Sequence, residues 1–137
     1  MSIEIQGLDR LLDSLDDIAD PQKLNLAIGR ACALVERSAK QKAPKDTGEL
    51  RRSISSKVED GVGIIFTPLE YAPYVEYGTG LFAENGGRSD VPWSYQDDSG
   101  EWHTTSGQKP QPFMRPALDE NREQILRIIK EGITEND

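Results

Sequence analysis

Ile3 and Ile5 alternate with polar neighbours at the start of the chain, the spacing of a short edge strand. From Leu8 the period changes. Leu8, Leu11, Leu12, Leu15 and Ile18 recur at helical spacing with Asp13, Asp16 and Asp17 on the other side, which predicts a short N-terminal helix ending at Asp20. Asp20-Pro21 then reads as the N-cap and first position of a second helix. That helix is the longest, predicted over about residues 21–41. Leu24, Ile28, Ala31, Val35 and Ala39 form its apolar stripe, widened by Ala27 and Leu34, while Lys23, Arg30, Arg37 and Lys40 fall largely off it. Gly29 inside the helix marks a candidate close crossing, and Ala43-Pro44 stops it, because a residue before proline is pushed out of the helical region.

Beyond Leu50 the texture turns to short strands. "SISSKVED" and "GVGIIFT" predict an antiparallel pair joined at Glu59-Asp60-Gly61. Tyr71, Tyr74 and Tyr77 follow at intervals of three, with Pro73 placed to open a helical turn and Gly78 to close it. Residues 79–112 are rich in Gly, Ser, Asp, Gln and Pro and predict a long mobile loop. A small hairpin is expected inside it, with Trp93 and Tyr95 on one arm, Trp102 on the other and Asp98-Ser99-Gly100 near the turn. A last helix starts around Pro116; Leu118, Arg122, Ile125, Ile129 and Ile133 share one face, Leu126 and Ile128 lie beside it, and residues 134–137 should fray. Acids at its start and Arg127 and Lys130 near its end complement the helix dipole. The expected fold is α+β in one domain of residues 1–137. Two long helices pack on one face of a small, mostly antiparallel sheet, with a short N-terminal helix and a long loop carrying a hairpin.

Charge sharpens this picture. The net charge is −8, yet residues 21–57 hold nine bases against three acids, while both flanking stretches are acidic. A chain of that balance is a poor candidate for stable duplex binding, where phosphate neutralisation supplies most of the affinity. Separated patches of opposite sign suit head-to-tail or heterologous protein contacts instead, with a merely solvated basic face as the alternative. Cys32 is the sole cysteine, which excludes an intrachain disulfide or thiolate metal cluster and fits a small buried residue in a protein kept in a reducing cytoplasm. No stretch is laid out as a signal peptide, and no apolar run approaches the roughly 20 residues a bilayer-spanning helix needs.

The chemical candidates are few. Asp46-Thr47-Gly48 is the tripeptide of aspartic proteases, but such an enzyme needs an apolar strand leading into it, and here Lys42-Ala43-Pro44-Lys45 precedes and Glu49 follows. The same letters read as a junction in which Asp46 caps a new helical turn, Glu49 completes a capping box and Gly48 relaxes the backbone. His103 is the only histidine and cannot build a His-based metal site alone; "DDSGE" lacks the spacing of a calcium loop. No cofactor motif is present. "KPQPFMRP" reads either as a rigid lead-in to the last helix or as a polyproline ligand. Trp93, Tyr95 and Trp102, held on a loop, are candidate anchors for a protein partner, and Arg30, Arg37 and Lys40 a candidate basic contact face. Tyr71 and Tyr74 suit either a small core or a contact surface.

Three stretches taken together, "KAPKDTGELRRSI", "YAPYVEYGTG" and "TTSGQKPQPFMRPALDENREQI", resemble in order and spacing the tail-completion, or head–tail joining, family of long-tailed bacteriophages and prophages. The resemblance covers roughly residues 8–133. Its positions are Ala43, Pro44, Asp46, Thr47, Gly48, Leu50, Arg51, Ser53 and Ile54 in the first stretch. In the second they are Tyr71, Tyr74, Val75, Glu76, Tyr77, Gly78 and Thr79, and in the third Gly107, Gln108, Pro112, Phe113, Pro116 and Ala117. The resemblance implies a non-enzymatic virion assembly part made in the host cytoplasm and ending at the neck or tail. Other neck and tail proteins would be its partners, in a ring-like homo-oligomer, with no sequence-specific nucleic acid and no membrane. Two alternatives remain from the residues alone: a small binding module using the aromatic loop, and a dimeric aspartic protease on Asp46.

Overall fold

A computed structural model describes residues 1–5, 21–45, 48–84 and 91–134. The expected N-terminal helix, the Asp20 cap of the helix that follows it, Asp46, Thr47 and residues 135–137 of the expected frayed end lie outside the described residues; Thr134, counted in that end, is helical. The chain divides into two compact units, residues 1–69 with 113–137, and residues 70–112.

The first unit is α+β. Its sheet contains β1 (Ser2–Ile5), β2 (Ser55–Glu59) and β3 (Val62–Phe66), antiparallel throughout in the order β1-β3-β2, so β1 is the predicted edge strand. Asp60 and Gly61 both take positive φ, 48° and 77°, the conformation of a tight hairpin turn whose twist matches the strands it joins. Register fixes the faces. Ile5 and Val58 both sit opposite Gly63, and Ile3 and Ser56 opposite Ile65, so these six residues share one side of the sheet. On that side lies α1 (Pro21–Lys42), packed on β2 and β3.

Most of the predicted stripe of α1 is buried: Leu24, Ala27, Ile28, Ala31, Val35 and Ala39 are in the core with Cys32, whereas Leu34, expected to widen the stripe, is only half-buried. Fully burying side chains of the size of Ile28 or Val35 contributes about 1.5–3 kcal/mol each. The contact with the sheet is close at Gly63, where a Cβ would meet Cys32 Sγ and would lie 2.8 Å from Ile28 Cγ2. Gly29, expected to mark the tight crossing, meets only Val58 at 3.9 Å, an ordinary contact. The tight helix crossing is at Gly132, where a Cβ would stand 2.6 Å from that of Ala27.

The last helix is two. α4 (Met114–Asp119) and α5 (Arg122–Thr134) meet at Glu120-Asn121, where the Asn121 side chain donates to the Ala117 carbonyl and Lys42 pairs with Glu120 at 2.6 Å. α5 packs along α1 through Ile125, Ile129, Gly132 and Ile133, while α4 touches α1 and β1. Between α1 and β2 the short helix α2 (Glu49–Ser53) starts from Gly48 at φ 78°, so Ser53, expected to open the strand, closes a helix instead.

The second unit is built from α3 (Ala72–Tyr77), a 3-10 turn at Gly80–Phe82, and a hairpin of β4 (Trp93–Gln96) with β5 (Trp102–Thr105). Pro73 stands in the first turn of α3 and Gly78 at its C-cap with φ 82°, as the sequence predicts. Much of the stretch read as a loop is paired: Thr79 N–H donates to the Gln108 carbonyl, Leu81 N–H to Ser106, and Gln111 N–H to Val75.

Candidate functional site

Arg51 and Ser53, from the motif of residues 43–54, form a clasp at the C-terminal end of α1. Arg51 Nε donates to the Lys40 carbonyl at 3.0 Å, taking up one of the orphan acceptors of that helix end. Ser53 Oγ donates to the Leu50 carbonyl at 2.6 Å and therefore accepts from Thr67 Oγ1 at 2.7 Å. Thr67 is buried, so this acceptor satisfies a hydroxyl that has left water. Ala43, Leu50 and Ile54 fill core positions. Gly48, in the left-handed region, is itself the N-cap of α2 with no side chain capping it, so Glu49 is the first helical residue and not the far member of the expected capping box.

The second motif and the start of the third are brought together in the residues 70–112 unit. Gln108 N–H donates to Thr79 Oγ1 at 2.9 Å, alongside the Thr79 N–H bond to the Gln108 carbonyl. Gly107 has φ 117°, and a Cβ there would meet the Thr79 carbonyl; at Gly80 it would meet Ser106. Glu76 is fully buried and Ala72 beside it likewise, whereas Tyr74 is 62% exposed and Tyr71 is also on the surface. Phe113 and Ala117 are core residues of the other unit, with Pro116 inside α4.

The hairpin separates the candidate aromatics. Trp93 pairs across from Thr105 and Tyr95 from His103, while Trp102 pairs with Gln96 on the opposite face and is 67% exposed. Tyr95 stacks on His103 with ring centroids 5.4 Å apart. The turn is held by Asp97: its Oδ1 accepts from Ser99 N, Ser99 Oγ and Glu101 N, and its Oδ2 meets His103 Nε2 at 2.6 Å. These bonds, the Ser99 hydroxyl foremost, then His103, hold the Asp97 carboxyl down to about 2. Asp97, Glu101 and His103 are the group of metal-ligating side chains that the described residues bring together. Each of Asp97's oxygens is already engaged in closing the turn.

Of the basic candidates, Lys40 pairs with Glu36 at 3.4 Å along α1. Arg30 and Arg37 instead line a groove of about 420 Å³ between α1 and α5, together with Ala33, Leu34, Gln124, Arg127 and Ile128. The sequence reading assigned Arg127 only to the helix dipole; its place on the groove depends on the α1–α5 register, which periodicity does not specify. The exposed Leu81 and Phe82 were likewise missed, because the 3-10 turn that presents them has no periodic signature. Among the described residues, no helix is long and apolar enough to cross a membrane.

Among the described residues, the first unit carries a groove rimmed by arginines and the second a hairpin with exposed Tyr95 and Trp102. The HK97-gp10-like family, described as a bacteriophage HK97-gp10 tail component, matches residues 6–78, just over half of the chain. The chain belongs to that family: it is a structural, non-enzymatic phage virion assembly protein that works with other virion proteins. The protease alternative falls with it. Neither a curated protein nor a solved structure matches the chain.

Proposed function

We propose that this protein acts at the neck of a long-tailed phage particle, completing the tail end or joining it to the DNA-filled head. The observation that carries the reading is the family match over residues 6–78, together with the pairing of Thr79 with Gln108. That pairing ties the stretch beyond the match to the motif at its end. Separated charge supports contacts of the basic stretch with acidic surfaces of neighbouring virion proteins, within a ring-like set of copies around the channel. The protein is then made in the host cytoplasm and carried into the virion. Interrupting the gene in a phage-producing strain tests the reading: filled heads and finished tails should accumulate apart in electron micrographs. Normal joined particles from the interrupted strain would refute it.

The acidic turn of the hairpin, Asp97, Asp98 and Glu101, suits a surface that faces the DNA channel, where it repels phosphates and lets the duplex slide. Replacing Asp98 and Glu101 by Asn and Gln should slow DNA ejection; unchanged ejection removes this hairpin from the channel.

A further inference from the structure

We infer that the groove between α1 and α5 docks an acidic, aliphatic helix of a different protein. The inference deepens the assembly reading and rests on it only for where that partner is found. The floor of the groove is Ala33, Leu34 and Ile128, and its rim carries Arg30, Arg37 and Arg127. Arg30 and Arg37 are two turns apart on one helix, about 10.5 Å along its axis. Arg127 approaches from α5, which runs antiparallel to α1, with Gly132 against Ala27 at the far end. Lys40 on α1 is neutralised by Glu36, but no hydrogen bond or ion pair to a described residue holds the three rim arginines. In a chain with an excess of eight acids, three guanidiniums around an apolar floor stand ready for carboxylates from elsewhere.

The complementary chemistry is specific. An amphipathic helix laid in the groove would set its aliphatic stripe on Leu34 and Ile128 and its flanking carboxylates, two of them two turns apart, on the arginine forks. Guanidinium takes a carboxylate with two parallel bonds, and helix-in-groove docking reads this spacing. A second copy docking face to face would oppose each arginine with another, since a two-fold contact pairs a surface with itself. Duplex DNA would gain nothing from the apolar floor and would be opposed by the net charge of −8.

The test is a fluorescence titration of the purified full chain with a synthetic helix of about four turns, leucines on one stripe flanked by Asp and Glu. The control peptide carries Asn and Gln in place of the acids. The acidic peptide should bind, more weakly as salt rises, and the neutral one at least about tenfold less tightly. The double variant Arg30→Glu/Arg37→Glu should lose about a hundredfold or more. Arg122→Gln, whose guanidinium pairs with Asp119 outside the groove, should change binding less than about twofold. If the double variant loses its far-UV circular dichroism, Arg127→Gln alone should still cost about tenfold. The inference is overturned by no binding at about 1 mM peptide, by equal binding of the neutral peptide, or by full binding in the arginine variants. Tighter binding of a DNA duplex, or arginine-dependent self-association in sedimentation, would also overturn it, giving the groove to another occupant. Because the titration uses purified protein, it can fail while the neck reading stands, and the reverse.

Discussion

Thr79 and Gln108, 29 residues apart, hold each other by two hydrogen bonds of 2.9 Å: Thr79 N–H to the Gln108 carbonyl, and Gln108 N–H to the Thr79 hydroxyl. This clasp closes the residues 70–112 unit at the base of its hairpin. Thr79→Val removes one acceptor and should cost about 0.5–1.5 kcal/mol. Gly107→Ala should cost more, about 1–3 kcal/mol, because it strains a φ of 117° and drives a Cβ at the Thr79 carbonyl. Amide exchange of Leu81, bonded to Ser106 beside the clasp, reads both. Protection of Leu81 unchanged in Gly107→Ala would refute the clasp.

Two helix glycines should respond with opposite sign. Helix propensity alone favours alanine at either by about 1 kcal/mol. At Gly29 nothing opposes that gain, the nearest side chain being Val58 at 3.9 Å, so Gly29→Ala should stabilise by about 0.5–1 kcal/mol. At Gly132 the new methyl would lie 2.6 Å from Ala27 Cβ, and overpacking should outweigh propensity for a net loss of about 1–3 kcal/mol. Urea unfolding of the two variants gives both signs; equal signs would show that the α1–α5 crossing is placed wrongly.

The Cys32 thiol is pushed up to about 11, chiefly by burial and then by the charge of Glu36, although a backbone bond to Ile64 opposes this. Thiolate is the reactive form, so the native protein should resist a disulfide reagent at pH 8 and react only as it opens. Labelling should therefore follow the population unfolded by urea. Fast labelling without denaturant would contradict the buried position.

The hairpin turn should carry its own acid response. Asp97 titrates near 2 in the folded chain against an ordinary 3.8, so its contribution is complete above about pH 4 and is lost as pH falls through 2. Proton resonances of Tyr95 and His103, stacked across the hairpin, should lose their ring-current shifts in that window. Asp97→Asn should abolish this midpoint; a variant with the same midpoint would place the titration elsewhere.

The long helix, the Asp60-Gly61 turn and the Pro73/Gly78 bounds of α3 were legible because each depends on local periodicity or on one residue's backbone preference. The break at Glu120-Asn121 was not, because Leu118 to Ile133 stay near helical phase across it while Asn121 bonds back to Ala117. Likewise Gly29 and Gly132 look alike in sequence; only the register of α5 against α1 decides which one meets a backbone neighbour. The aromatic trio was legible as a hairpin, but its division into two faces follows from the pairing of Tyr95 with His103. The basic face was half legible: Arg30 and Arg37 share a helix side, whereas Arg127 joins them only through tertiary packing.

The central claim, that this chain joins heads to tails, is tested most directly by adding it back. An extract from a strain with the gene interrupted supplies separate filled heads and tails, and purified protein is the only addition. Joined particles and infectivity should rise from background to the level of the intact strain, and Arg30→Glu/Arg37→Glu protein should fail to restore them. Infectivity that stays at background with the wild-type chain, or that is already full without it, would contradict the account.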